Sequence, residues 1–386
     1  MNNESIAIKC SIVRGGTSKA VFIMENELPK DLALREKIIL GIFGSPDVRQ
    51  IDGLGGADLL TSKLAIIGPS SIPEADVDYT FGQVSIKEPR VEFNSNCGNI
   101  SSAVGPFAID NGLVQAIEPI TTVRIHLKNL GKILTAEVPV KDGKSAVEGM
   151  FEIDGVPGTG AQIALDWSSV IGGKTGTLLP TGNAQDIIKH NGREYHVSIV
   201  DAGSITVFVP AEDLGITGIE TPQEIDGNKK LVDLLEAVRG KACQLIGMVK
   251  DWREAKEKTY YLPFIVIISK PQDYTCFTGK RMKAEDIDLV ARLSTMGMIN
   301  KTYAGSGTVC TGAAARIKGS VVYEALTEKS KNNSTIQIGH SAGKIPVTAE
   351  ATIDKDGNTV MQKIMIFRTA RIIMEGHVFV RKSRIV

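Results

Sequence analysis

Two stretches of the chain hold side chains that could move a proton. In Asn94-Ser95-Asn96-Cys97-Gly98-Asn99 a cysteine stands among small and amide residues, ahead of the run Ile100 to Ile109. That pattern predicts a helix from Cys97 through Ile109, whose first turn has N–H groups without intrahelical partners and the positive end of the helix dipole. A thiol there ionises more readily. Gly98 lets a ligand approach the backbone, and the outward N–H groups suit a carboxylate or the extra charge of an enolate. The second candidate is Lys63, in Gly55-Gly56-Ala57-Asp58-Leu59-Leu60-Thr61-Ser62-Lys63-Leu64-Ala65-Ile66-Ile67, where a glycine loop enters an apolar strand. Desolvation lowers a lysine pKa toward neutrality and makes it a usable acid or base, whereas a carboxylate neighbour keeps it charged for binding. The sequence leaves both roles open.

Around this pair, Ser62, Asn96, Gly98 and Asn99 are candidate binding residues. So are Thr17, Ser18 and Lys19 in Arg14-Gly15-Gly16-Thr17-Ser18-Lys19. This stretch lacks the spacing of a phosphate-binding loop, and its hydroxyl and N–H groups suit a carboxylate instead. A second cysteine site, Gly305-Ser306-Gly307-Thr308-Val309-Cys310-Thr311-Gly312-Ala313, follows the same plan and predicts a helix from Cys310 through about Leu326, with Cys310, Thr311 and Gly312 at its mouth. His340, in a Gly/Ser loop, is a further binding candidate. Cys10, Cys243 and Cys276 read as buried, unreactive thiols. The five histidines have no metal-ligand spacing and no acidic cluster matches a calcium or magnesium site, so no metal is expected.

The elements that must position these residues are mixed, giving an α+β class. Ile6 to Val13, Val77 to Ile86, Tyr195 to Pro210, Leu262 to Ser269, Ile345 to Ile353 and Val360 to Phe367 are strand-like. Leu32 to Phe43, Lys229 to Met248 and Ala284 to Met298 are helix-like. Pro106 is expected to kink or break the helix after Cys97. An internal repeat is expected, because Gly16-Thr17-Ser18-Lys19-Ala20-Val21-Phe22-Ile23 is echoed by Ala202-Gly203-Ser204-Ile205-Thr206-Val207-Phe208-Val209, each followed by a cysteine. The longer second copy has room for extra residues near its long helix. Two similar domains follow, 1–182 and 183–370, divided at the Thr181-Gly182-Asn183 turn, with a strand from about 371–386 returning to the first and the active site in the cleft between them.

The 386 residues are 42% hydrophobic and 23% charged, an ordinary globular composition long enough for two domains. Lys plus Arg total 44 and Asp plus Glu total 44, so no basic surplus exists to neutralise a nucleic acid. The start has no leader pattern and no apolar run is long enough to cross a bilayer, which predicts a cytoplasmic protein away from membranes. Exposed strand edges favour a homodimer or tetramer.

Read together, Arg14 to Lys19, the run Gly44-Ser45-Pro46-Asp47-Val48-Arg49-Gln50-Ile51-Asp52-Gly53-Leu54-Gly55-Gly56, Leu60 to Lys63 and Asn96 to Asn99 resemble the PrpF family of isomerases. Asp76-Val77-Asp78-Tyr79-Thr80-Phe81, Val104-Gly105-Pro106-Phe107-Ala108-Ile109 and Arg368-Thr369-Ala370-Arg371 extend the match over most of the chain. The resemblance implies a diaminopimelate-epimerase-like fold, two pseudo-symmetric domains each wrapping strands around a central helix, and no cofactor. It also implies small unsaturated di- or tricarboxylates as substrates, such as 3-methylitaconate, 2-methylaconitate or 4-oxalomesaconate, with Lys63 and Cys97 in the active site. Amino-acid epimerases of this fold carry Cys-Gly-Asn-Gly-x-Arg, whereas here Cys97-Gly98-Asn99 continues as Ile100-Ser101-Ser102, which disfavours an amino-acid substrate.

The expected reaction is a 1,3-allylic proton transfer, first of all 3-methylitaconate to 2,3-dimethylmaleate, through a dienolate held by helix N-terminal donors. Rotation within the same intermediate gives cis–trans isomerisation. The rival readings are a two-cysteine epimerase using Cys97 with Cys310, and a carboxylate-binding protein without catalysis.

Overall fold

The computed structural model describes residues 4–94 and 96–385, and the chain divides into two units, one formed by Met1–Leu165 with Arg368–Val386 and the other by Asp166–Phe367. The division falls at Leu165/Asp166, ahead of the Thr181 turn expected from turn chemistry. Ser95 of the cysteine motif lies outside the described residues.

In the first unit, β1 (Ser5–Gly15) and β2 (Ser18–Met24) form a hairpin, followed by α1 (Leu32–Phe43), β3 (Lys63–Pro69), β4 (Val77–Val84), α2 (Gly98–Asp110), β5 (Ile120–Leu127) and β6 (Lys132–Lys141). The pairing alternates: β1/β2 antiparallel, β2/β3 parallel, β3/β4 antiparallel, β4/β5 parallel and β5/β6 antiparallel. The terminal strand Ala370–Arg381 joins the other side of β1, antiparallel. Helix α2 is buried from Gly98 through Ile109 and touches β1, β2, β3, β5, β6 and the terminal strand, so the strands surround it. On the opposite sheet face, Ile38, Ile39, Ile42 and Phe43 of α1 pack on Val21, Ile23, Leu64 and Ile66. Strands covered on both faces become continuous apolar runs, as in Leu64-Ala65-Ile66-Ile67.

The second unit follows the same order. β7 (Arg193–Ala202) and β8 (Ser204–Pro210) form a hairpin, then come α3 (Lys229–Leu245), β9 (Phe264–Ser269), β10 (Leu289–Thr295), α4 (Gly305–Ala314), β11 (Thr335–His340) and β12 (Gly343–Ile353). Antiparallel and parallel pairings alternate as before. All ten residues of α4 are buried, and α3 covers the outer sheet face with Leu231, Leu235, Val238 and Ala242. The extra length of this copy is shared between the segment around α3, 211–263 against 25–62, and the β9–β10 connection, 270–288 against 70–76.

Three local expectations are corrected. Ala284 to Met298 is not a helix but holds β10, seven buried residues that pair antiparallel with β9; a short apolar run of this kind fits a buried strand or a buried helix equally by pattern, and the cross-strand pairing decides. Tyr195 to Pro210 is two strands, turned at Gly203 with φ +73°. α2 continues through Pro106, its burial within the ring of strands outweighing the lost backbone donor.

The approach of α2 to its surrounding strands is close at Gly105, where an added Cβ would meet Val138 Cγ2 at 2.7 Å. Gly105→Val is expected to destabilise the protein by about 1–3 kcal/mol through overpacking, read as a lower midpoint in urea denaturation.

Candidate active site

β3 opens at Lys63, where the chain leaves a loop folded around the buried Gln50 side chain. Gln50 Nε2 donates to Ser45 Oγ at 3.0 Å and Ser62 Oγ at 2.7 Å, and Gln50 Oε1 accepts from the Ala57 N–H at 2.8 Å. The loop delivers Lys63 into the interior, only 5% exposed. Its Nζ donates to Gln83 Oε1 at 2.6 Å and lies 5.2 Å from the centre of the Phe81 ring. Cys97 faces this amine closely enough to act on it as a charge and as a hydrogen-bond partner. Burial pulls the Lys63 pKa below its ordinary value, against the opposing pull of Cys97 and Asp58. The lysine and thiol picked out separately in the sequence therefore meet.

Cys97 is the N-cap of α2, in extended backbone geometry and with no side-chain capping bond. Its carbonyl instead receives Ser101 N at 2.8 Å and Ser101 Oγ at 2.9 Å. One residue into the helix, Asn99 Nδ2 donates to Thr17 Oγ1 at 3.0 Å, and Asn99 Oδ1 accepts from Arg368 Nε at 2.9 Å. Gly15 and Gly16 are required here, since a Cβ on Gly16, whose φ is +50°, would collide with Asn99 Oδ1 and one on Gly15 with the Asn99 carbonyl. The β1–β2 hairpin is thereby fastened to the start of α2, and Arg14 Nη1 fastens it again by donating to the carbonyls of Gly16 and Thr369.

Of the other candidates in this unit, Ser18 is buried with a hydroxyl that has no hydrogen-bond partner. Lys19 is half-buried on β2. Asn96 is fully buried and Gly98 opens the helix. The Ser62 hydroxyl donates to the Val84 carbonyl at 2.9 Å. Two participants were missed in the sequence as site residues. Arg368 is 1% exposed and its pKa falls to about 10 through burial, against the attraction of Cys97, so it remains a cation at neutral pH. Gln83 carried no signal, because an amide in a strand reads as an ordinary polar residue until its cross-strand partner is known.

The second cysteine site is corrected. α4 begins at Gly305 with Ala304 as its N-cap, so Cys310 lies in mid-helix, away from the N-terminal N–H groups. Its thiol donates to the Val200 carbonyl at 3.3 Å, and burial raises its pKa to about 12. Thr311 Oγ1 bonds to the Gly307 carbonyl at 2.8 Å and to Tyr303 Oη at 2.8 Å. Gly312 makes room for Val347, whose Cγ2 lies 2.6 Å from where a Cβ would stand. His340 closes β11, 1% exposed and stacked on Tyr303, with Nδ1 accepting from the Ala342 N–H at 3.2 Å. All four are buried in the interior of this unit. Register shows that the lysine is not repeated in the second unit: Lys63 pairs with the third residue of β2, and the strand residue at the matching position, opposite Thr206 of β8, is Phe264. Among the described residues no group of three or more His, Cys, Asp or Glu side chains is gathered to hold a metal, and no helix is long and apolar enough to cross a membrane.

Two strand-wrapped helical units of one topology, with a lysine–cysteine pair at one helix N-terminus, define a protein of the diaminopimelate-epimerase-like class. A solved hydroxyproline epimerase from Agrobacterium vitis has this fold, with a TM-score of 0.57 at 10% identity over 97% of this chain and 93% of that one. The family model described as PrpF protein matches residues 5–381, and the chain belongs to the PrpF family. It is 52% identical over 385 residues, 100% of each chain, to a 3-methylitaconate isomerase from Eubacterium barkeri. It is 37% identical to a 2-methyl-aconitate isomerase from Shewanella oneidensis, over 98% of each. The crystal structure of a methylitaconate-delta-isomerase superposes with a TM-score of 0.81 at 52% identity, covering 100% of this chain and 98% of that one.

The depressed Lys63 pKa fixes a sign for stability. The folded state gives up its proton below the unfolded value of 10.5, so burial of the ammonium costs stability at low pH and the cost is relieved as pH rises through the folded pKa toward 10.5. Lys63→Met removes this slope: the variant's stability relative to wild type is expected to fall between neutral and alkaline pH in denaturation series. Separately, alkylation followed by peptide mass spectrometry should leave Cys310 unlabelled until the protein is unfolded.

Proposed function

We propose that this chain is an isomerase that shifts the double bond of 3-methylitaconate to give 2,3-dimethylmaleate, with Lys63 and Cys97 as the acid–base pair. The observation that carries the reading is the meeting of a desolvated lysine amine and the thiol of the helix N-cap residue, within reach of a buried guanidinium. The relatives named as isomerases of methylitaconate and methyl-aconitate support the substrate class.

The proton on the methyl-bearing carbon is acidified by its carboxylate and by the adjacent double bond. One member of the pair removes it, and the electron pair spreads into a dienolate. The positive end of α2, together with Arg368, lowers the energy of the dienolate, which carries one more negative charge, by more than that of the bound dicarboxylate, which is the condition for rate enhancement. Return of a proton to the terminal methylene completes the transfer and turns it into a methyl group. Thr17, Ser18, Lys19, Asn96, Gly98 and Asn99 are the candidate carboxylate ligands. Electrostatics supports a polyanionic substrate, since a net-neutral chain gathers Lys63, Arg368 and a helix N-terminus in one region.

A two-cysteine epimerase is disfavoured by the buried, mid-helix thiol of Cys310. Cis–trans isomerisation of 2-methylaconitate is the second reading, supported by the relative of that name, and it would use the same pair with bond rotation in the delocalised anion.

Lys63→Ala and Cys97→Ala are each expected to lower kcat on 3-methylitaconate by about 10²–10⁴-fold, the usual worth of a positioned acid or base. Proton NMR in deuterated water should show deuterium entering the new methyl group of dimethylmaleate. Conversion of 2-methylaconitate alone, or full activity in both variants, would replace the proposal.

A further inference from the structure

Gln83 stands directly across from Lys63 in the β3–β4 register and is 1% exposed. Its Nε2 donates to the Ser62 carbonyl at 2.9 Å and the Leu59 carbonyl at 3.3 Å, while its Oε1 receives the Lys63 amine at 2.6 Å. Carbonyls only accept, and an ammonium only donates, so a single orientation of the amide satisfies all three neighbours. The carbonyls belong to the loop that delivers Lys63, and they therefore fix the atom that holds its amine. Phe81, two residues earlier on the same face of β4, closes the space beside the amine with its ring.

We propose that Gln83 is a positioning residue of the reaction, holding the Lys63 amine toward Cys97 through a neutral acceptor where a carboxylate would lock it as an ammonium. This inference rests on the reading of Lys63 and Cys97 as the acid–base pair. An amide oxygen offers only a dipole, so it orients the amine while leaving its proton exchangeable; a carboxylate at the same distance would add a full opposite charge in a dry environment. The titratable groups already acting on the amine are Cys97 at the cap of α2 and Asp58 in the loop before β3, and Arg368 acts on Cys97 from the other side. Against that set, a second carboxylate would hold the amine more firmly in its charged form, and loss of the acceptor would leave it loose and less easily protonated.

The test is the pH dependence of kcat and KM for 3-methylitaconate with the full chain, comparing wild type with Gln83→Glu, Gln83→Met and Lys63→Ala. Gln83→Glu is expected to move the lysine limb of the kcat profile upward by about one pH unit or more. Gln83→Met, similar in volume but without an acceptor, should move it downward. Each should lower kcat at neutral pH by about tenfold, a part of the whole acid–base contribution, while KM changes much less. A merely structural glutamine would lower thermal stability and leave both limbs in place. If Gln83→Glu does not fold, the Met variant gives the same readout with opposite sign, and Gln83→Asn, which keeps the amide but shortens its reach, should lower kcat without a comparable shift. Folded Gln83 variants with wild-type profiles and rates overturn the proposal while a dead Lys63→Ala leaves the underlying reading intact. A fully active Lys63→Ala overturns that reading instead.

Discussion

A cation held out of water next to a thiol is the constraint to which the first unit is built. An ammonium in a protein interior is costly unless hydrogen-bonded and paired. Lys63 is tolerated there because β4 lays an amide and an aromatic ring against it, and because Cys97 and Asp58 oppose the desolvation. The loop ahead of β3 is equally committed, since the Gln50 amide ties Ser45, Ala57 and Ser62 into one turn that enters the strand at the required residue. The arrangement gives up stability to keep a proton on the amine negotiable.

The helix end supplies the complementary part. α2 is enclosed by strands along its length, so its N-terminal N–H groups are fixed with the rigidity of the core, a condition for preorganised stabilisation of developing charge. Three distant stretches of chain converge on that end: the β1–β2 hairpin through Thr17, the helix itself through Asn99, and the returning terminal segment through Arg368. The glycines of the hairpin serve this convergence by leaving room for Asn99. In the proposed reaction a lysine and a cysteine share the acid–base work in this positive environment.

The second unit repeats the topology without the lysine–cysteine pair. Its hairpin, its alternating pairings and its buried central helix match those of the first, yet Phe264 takes the register of Lys63 and Ala304 caps the helix in place of a cysteine. Cys310 invited comparison with Cys97 because both stand among small residues, but a helix start depends on where the backbone first closes its hydrogen bonds. Gly305 to Val309, which resemble a loop by composition, are already helical because the surrounding strands bury them.

The sequence by itself determined α1 to the residue, the strand at Ile6 to Val13, the helix after Cys97 and the repetition of the first half in the second, and it singled out Lys63 and Cys97. Those features are local: a capping pattern, an alternation, a glycine turn or a lysine entering an apolar strand is written in neighbouring residues. Only the tertiary structure decided that β10 is a strand, that Pro106 stays within an unbroken helix and that the boundary lies at Leu165. It alone brought Gln83 to the amine and Arg368 to Asn99, 269 positions away in the chain. Burial on every side overrides local propensity, and contacts across strands or between chain ends have no signature in sequence spacing, because their energy exists only once the fold has removed water from both partners.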